Sequence, residues 1–87
     1  MKNNGTIEYT NVNEYLHRED GPAVIEPDEA EYWYKNDQLH REDGPAVIYS
    51  NGNAKWWLNG VNYSFKKWLE VVDITDEGKM ELILYYG

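Results

Sequence analysis

Leu16-His17-Arg18-Glu19-Asp20-Gly21-Pro22-Ala23-Val24-Ile25 is written again, letter for letter, as Leu39-His40-Arg41-Glu42-Asp43-Gly44-Pro45-Ala46-Val47-Ile48. Ten matches at an offset of 23 residues mark the chain as an array of one supersecondary unit, so each residue is read first as part of that unit. The offset carries outward: Glu8-Tyr9 falls on Glu31-Tyr32, Asn13 on Asn36 and then Asn59, and Trp33 on Trp56. One domain, 1–87, then consists of units 8–30 and 31–53, a third unit, 54–63, that keeps Trp56-Trp57-Leu58-Asn59-Gly60, and a C-terminal cap, 64–87. A last unit that departs from the pattern is expected, because no neighbour covers its outer face.

Within a unit the residues prescribe hairpins. Glu31-Tyr32-Trp33-Tyr34-Lys35 and Ala46-Val47-Ile48-Tyr49 are aromatic and β-branched segments of strand length. Asn36-Asp37 supplies turn chemistry between strands, and Asp43-Gly44-Pro45 supplies a connection in which Gly44 tolerates positive φ and Pro45 starts a strand. Asn51-Gly52 predicts a two-residue type I′ turn, and Pro27-Asp28-Glu29-Ala30 takes the corresponding place one unit earlier. Residues 1–5 read as a frayed end, followed by a strand over Thr6–Thr10.

After Asn59-Gly60 the apolar period changes. Phe65, Trp68, Leu69 and Val72 fall at i, i+3, i+4 and i+7 behind Ser64, which predicts a short capped helix lying over the open end of the strands. Thr75-Asp76-Glu77 resembles a second helix start, with Met80, Ile83 and Leu84 as its apolar stripe, although Leu82 to Tyr86 also suits a buried strand. The expected fold is α+β: an antiparallel meander of hairpin repeats capped by one or two C-terminal helices.

Composition narrows the function classes. The chain has no cysteine, which removes disulfides and thiolate metal sites and suits a reducing, cytoplasmic compartment. No apolar run has the length of a membrane span, and the start Met-Lys-Asn-Asn-Gly lacks the apolar core of a secretory signal. The net charge is −8, with eleven acids against four bases in residues 1–53 and five against four in 54–87. That field repels nucleic-acid phosphates and attracts basic surfaces, so direct nucleic-acid binding is not expected.

Trp56-x-x-Asn59-Gly60, Asp43-Gly44-Pro45-Ala46 and Asn51-Gly52 at this period resemble the MORN repeat and its bacterial and viral variant over about residues 8–63. The His-Arg-Glu-Asp-Gly-Pro-Ala form looks like repeats common in small proteins of tailed bacteriophages and giant viruses. The resemblance implies successive β-hairpins that present surfaces to partners, and some members of the variant group are labelled antitoxins. Where MORN units carry Gly after the His, this chain has Arg18 and Arg41. Its acidic surface also opposes the membrane binding credited to MORN arrays.

His17-Arg18-Glu19-Asp20 and His40-Arg41-Glu42-Asp43 hold residue types able to do acid–base or metal chemistry. Duplication favours structure over chemistry, since a catalytic set is needed once and a device that orders a connection is needed in every unit. In the structural reading Asp20 and Asp43 cap backbone N–H groups, and each Arg pairs with an acid of the adjacent unit. No catalytic, cofactor or metal residue is assigned. Glu26, Asp28, Glu29 and Glu31 concentrate negative charge at one turn and, with Trp57 as an aromatic anchor, form the expected surface for a partner. Trp33 and Trp56 are expected to pack.

The expected function is a small non-enzymatic protein-binding module, phage-encoded and present in the host cytoplasm, acting as a monomer or small homo-oligomer. It would modulate a host or viral protein with a basic surface, such as a component of antiviral defence. A self-assembling repeat protein and a small metal-dependent hydrolase built on the His–Asp loops are the alternatives.

Overall fold

The computed structural model describes residues 5–87, so the frayed end expected over 1–5 lies, apart from Gly5, outside the described residues. The chain forms β1 (Ile7–Glu8), β2 (Val24–Ile25), β3 (Glu31–Tyr32), β4 (Tyr34–Lys35), β5 (Gln38–Leu39), β6 (Val47–Ile48), β7 (Ala54–Leu58), β8 (Val61–Tyr63), α1 (Phe65–Val71) and α2 (Asp76–Tyr86). The fold is α+β, with two helices following the strands. An antiparallel sheet runs β1-β2-β3-β6-β7-β8, and β4 and β5 pair as a separate hairpin between β3 and β6.

The long strand expected over 31–35 is broken at Trp33, which divides it between the two sheets. The expected first strand is shorter too: Ile7–Glu8 pairs with β2, and Thr10 pairs with Leu16.

Two kinds of turn build the strands. Asn36-Asp37 and Asn59-Gly60 are two-residue turns with positive φ at both positions (50° and 68°, 51° and 81°), which matches the twist of the strands they join. The other three, 11–15, 26–30 and 49–53, enclose three residues between paired ends. Each places its last loop residue in the left-handed region: Glu14 at 66°, Glu29 at 73° and Gly52 at 90°. In each an Asn or Asp side chain near the turn accepts an N–H two residues on: Asn11 from Asn13, Asp28 from Ala30 and Asn51 from Asn53.

The expected type I′ turn at Asn51-Gly52 is therefore corrected. The side chain of Asn51 serves the turn, its φ is not positive, and Ser50 joins the loop. A two-residue turn would have paired Tyr49 with Ala54, whereas Tyr49 donates to the carbonyl of Asn53 and Ala54 pairs with Ile48. One added loop residue reverses which face of β7 meets which face of β6.

In the observed register Val24, Tyr32, Val47 and Lys55 share one face, and Ile25, Glu31, Ile48 and Ala54 the other. Alternation from Ala54 carries Trp56 onto the second face, where both helices lie. Trp56 is 6% exposed and packs with the fully buried Trp68 and with Val72. The ring centroid of Trp56 is 4.4 Å from Phe65, 4.7 Å from Trp68 and 5.0 Å from Tyr86. Such aromatic contacts add to the apolar area that each ring removes from water.

α1 begins where Ser64 accepts the Lys67 N–H at 3.2 Å, and α2 where Thr75 accepts the Gly78 N–H at 3.0 Å. Asp76 and Glu77 occupy the first turn of α2, where the helix dipole favours negative charge. The helix expected from Thr75 onward is present, but its expected buried stripe is not. Leu82 packs on the core and Tyr86 on Trp56, while Met80, Ile83 and Leu84 are 56%, 42% and 80% exposed. Positions 82 and 86 are one turn apart, so the packed face is a narrow stripe rotated away from the residues read as core. No helix is long and apolar enough to cross a membrane among the described residues.

Trp68 is the side chain through which α1 closes the end of the sheet. Trp68→Ala is expected to lower stability by about 3–5 kcal/mol, enough to unfold most of a domain of this size. Urea denaturation with near-ultraviolet circular dichroism measures it. A variant folded as well as the parent would show that α1 is not the lid.

Candidate functional site

The duplicated loops hold both arginines of the chain. Arg41 Nε donates to Asp43 Oδ1 at 2.8 Å, its Nη1 donates to the carbonyl of Pro45 at 3.1 Å, and its Cζ lies 3.7 Å from the ring centre of Trp33. Arg18 repeats the arrangement with Asp20 at 3.3 Å, Pro22 at 3.2 Å and Tyr9 at 4.1 Å. A planar guanidinium suits this combination of in-plane donation and stacking better than a lysine ammonium does.

Two expectations are corrected here. Asp20 and Asp43 receive the arginine of their own loop instead of capping backbone N–H groups, and each arginine pairs within its loop instead of with the next unit. The reach is short, with one residue between donor and acceptor, so the loop closes on itself.

Gly21 and Gly44 follow from the same geometry. A Cβ on Gly44 would stand 2.9 Å from Arg41 Cζ, and one on Gly21 would stand 2.8 Å from Arg18 Cζ. Neither glycine has positive φ, so the requirement is room for the guanidinium and not a left-handed backbone.

The histidines hold the neighbouring hairpins. His17 Nδ1 accepts the Asn36 N–H at 3.1 Å and His40 Nδ1 accepts the Asn59 N–H at 2.9 Å, which ties each loop to the two-residue turn that follows it. An accepting Nδ1 leaves the hydrogen of the neutral ring on Nε2, which faces Glu19 at 2.8 Å in one loop and Glu42 at 3.5 Å in the other. Nδ1 of each ring is spent on the fold, and Nε2 of His17 also bonds Glu19. Among the described residues no three His, Asp or Glu side chains converge as metal ligands. A cleft of about 330 Å³ lies between the loops, bordered by Arg18, Trp33, Lys35, His40, Arg41 and Ile74.

The turn acids differ in their surroundings. Among the described residues the ion pairs are Arg18–Asp20, Arg41–Asp43 and Lys67–Glu70, and none involves Glu26, Asp28, Glu29 or Glu31. Glu26 accepts the Thr6 hydroxyl at 3.0 Å, and Asp28 accepts the Ala30 N–H at 3.0 Å.

The four acids do not form one face. Glu26 and Asp28 border a cavity of about 520 Å³ between turns 26–30 and 49–53, together with Tyr32, Tyr49, Ser50 and Asn51. Glu29 is exposed on the turn. Glu31 points to the opposite face from Tyr32, toward α2. There the Tyr86 hydroxyl is held above its ordinary pKa by burial first and by Tyr85 next, with Arg41 opposing and Glu31 adding a smaller share.

Sequence reading missed Tyr32 and Tyr49, whose rings meet edge to face at 6.4 Å and 87°. Burial first, then Glu26, Tyr49 and Asp28, raise the pKa of Tyr32 and keep its hydroxyl protonated. Their adjacency follows from the β3–β6 register, in which Tyr32 pairs with Val47 and Tyr49 lies two residues further along the same face. Trp57 does not border this cavity. It is half-buried on β7, and its indole N–H is enclosed without a hydrogen-bond partner, as are those of Trp33 and Trp68. Trp33 lies beneath Arg41 and Trp56 is in the core, so both pack as expected.

Compared with known proteins, the chain matches no family model, no curated protein and no solved structure.

The clash between a Gly44 side chain and Arg41 is testable by a double-mutant cycle. Gly44→Ala should cost about 1–3 kcal/mol on its own and much less in an Arg41→Ala background, because the guanidinium it displaces is gone. Chemical denaturation of the four proteins gives the coupling. Strict additivity would mean that the glycine is needed for another reason.

Proposed function

We propose that the protein is a non-enzymatic interaction module that binds a basic surface of another protein through the turn at 26–31. The observation that carries this reading is the contrast in charge pairing. Asp20 and Asp43 are matched by Arg18 and Arg41, whereas Glu26, Asp28, Glu29 and Glu31, four acids within six residues, have no cationic partner among the described residues. Unmatched surface charge raises the rate at which an oppositely charged partner docks and selects against partners of the same sign. Each histidine spends Nδ1 on a backbone N–H of the following turn, which supports a structural role for both rings.

The partner proposed is a host protein of a bacteriophage, such as a component of antiviral defence, because the loop sequence resembles repeats of small phage proteins. A second reading, self-assembly, has one specific observation in its favour: Met80, Leu84 and Tyr85 leave an apolar surface on the outer side of α2.

Replacing Glu26, Asp28, Glu29 and Glu31 together by their amides removes four charges and keeps one acceptor oxygen on each side chain, enough for the bonds from Thr6 and Ala30. Association with a basic partner, followed by surface plasmon resonance, should slow several-fold, and rising salt should slow the parent in the same way, since screening acts over about 8 Å at physiological ionic strength. Unfolding midpoints should stay close to the parent value. Binding that ignores both the amides and the salt would remove the electrostatic reading. Light scattering on the same sample separates the two readings, since self-assembly requires a mass above that of one chain.

A further inference from the structure

The cavity between the two three-residue turns has an unusual set of neighbours. Tyr32 and Tyr49 form two walls at right angles, with ring centroids 6.4 Å apart. Glu26 and Asp28 border the same space, and Ser50 and Asn51 complete its rim. No residue bordering it is positively charged. Glu26 Oε1 is occupied by the Thr6 hydroxyl and Asp28 Oδ1 by the Ala30 N–H, and a carboxylate has lone pairs beyond those single bonds.

The molecule itself shows what such a combination holds. Twice in this chain a guanidinium lies over an aromatic ring and donates to a nearby carboxylate: Arg41 over Trp33 with Asp43, and Arg18 over Tyr9 with Asp20. The cavity has the rings and the carboxylates, but both arginines of the chain are engaged in their own loops and no third exists. The negative face of a neutral tyrosine ring attracts a cation, and a nearby carboxylate adds in-plane acceptors that match a guanidinium fork.

We infer that the Tyr32–Tyr49 cavity is a receptor for an arginine side chain of a partner protein, with a ring stacked on the guanidinium and the Glu26 and Asp28 carboxylates accepting its N–H groups. This rests on the reading of turn 26–31 as a surface for a basic partner and assigns that surface a specific anchor point. Glu29 and Glu31 lie outside the receptor and act only through the general field. Burial and the adjacent carboxylates raise the Tyr32 pKa, and a tyrosine ring is neutral at physiological pH even without that shift. The cavity, at about 520 Å³, is large enough for one such side chain.

The test uses the whole chain and a blocked tri-arginine peptide, with the isosteric, uncharged tri-citrulline peptide as control. The ring signals of Tyr32 and Tyr49 are followed by NMR. Both tyrosines are expected to shift together and saturably with arginine, and several-fold more weakly with citrulline. Tyr49→Leu should weaken binding about fivefold, the loss of one cation–π contact, and the pair Glu26→Gln with Asp28→Asn should do at least as much while preserving the turn's hydrogen bonds. Tyr49 is partly exposed, so its replacement keeps the test available even where Tyr32→Leu disturbs the sheet.

Equal response to citrulline, or no shift of either ring at millimolar peptide, would overturn the receptor. Arginine binding that weakens in the amide variant but not in Tyr49→Leu would also overturn it, while leaving the acidic surface as a partner site. Binding that depends on the tyrosines but not on salt or on the turn acids would remove the acidic reading as well.

Discussion

The stacked arginine is the interaction on which the repeat loops depend. In each loop one guanidinium covers an aromatic ring of the preceding strand segment, bonds an aspartate two residues on and bonds a proline carbonyl four residues on. That single group fixes the width of the loop, the direction in which the chain re-enters the sheet and the need for glycine beneath it. The second loop is the tighter copy, with a shorter ion pair and a closer ring. The difference fits their partners: indole is the better cation acceptor, and the first loop stacks on tyrosine.

Closure of the loops has a consequence for charge. An arginine that satisfies its own loop cannot neutralise the turn acids, and four of the eleven acids in residues 1–53 stand at 26–31. Stability of the loops and reactivity of the turn are in this sense one arrangement. At the other end of the sheet the problem is apolar instead of electrostatic. β7 presents Trp56, and two helices converge on it through Trp68 and Tyr86.

Much of this was legible in the letters. The aromatic and β-branched segments announced an antiparallel sheet, Ser64 and the spacing of Phe65, Trp68, Leu69 and Val72 announced α1, and Thr75 announced α2. What was not legible depended on register or on direction. Asn51-Gly52 satisfies a two-residue turn and the end of a three-residue one equally well, and only pairing across the sheet decides between them. The Tyr32–Tyr49 corner depends on the pairing of β3 with β6, two strands separated in sequence by the β4–β5 hairpin and the second repeat loop. Met80, Ile83 and Leu84 have helical spacing, yet spacing alone does not say which face of α2 meets Trp56. Asp43 was read as a backbone cap because Asp before Gly-Pro commonly is one, and the nearby guanidinium took the carboxylate instead.

Because Arg18 and Arg41 are the only arginines, their side-chain Nε–H groups give at most two signals in a nitrogen–proton correlation spectrum. That spectrum, recorded at low and at molar salt, tests most directly whether the loop charges are held within the fold. The account predicts two resolved, slowly exchanging signals, with the Arg41 proton shifted upfield by the Trp33 ring, and with both unchanged by salt. A single averaged signal, or two signals that broaden and vanish as salt rises, would contradict it, because the guanidiniums would then be free to pair with the turn acids.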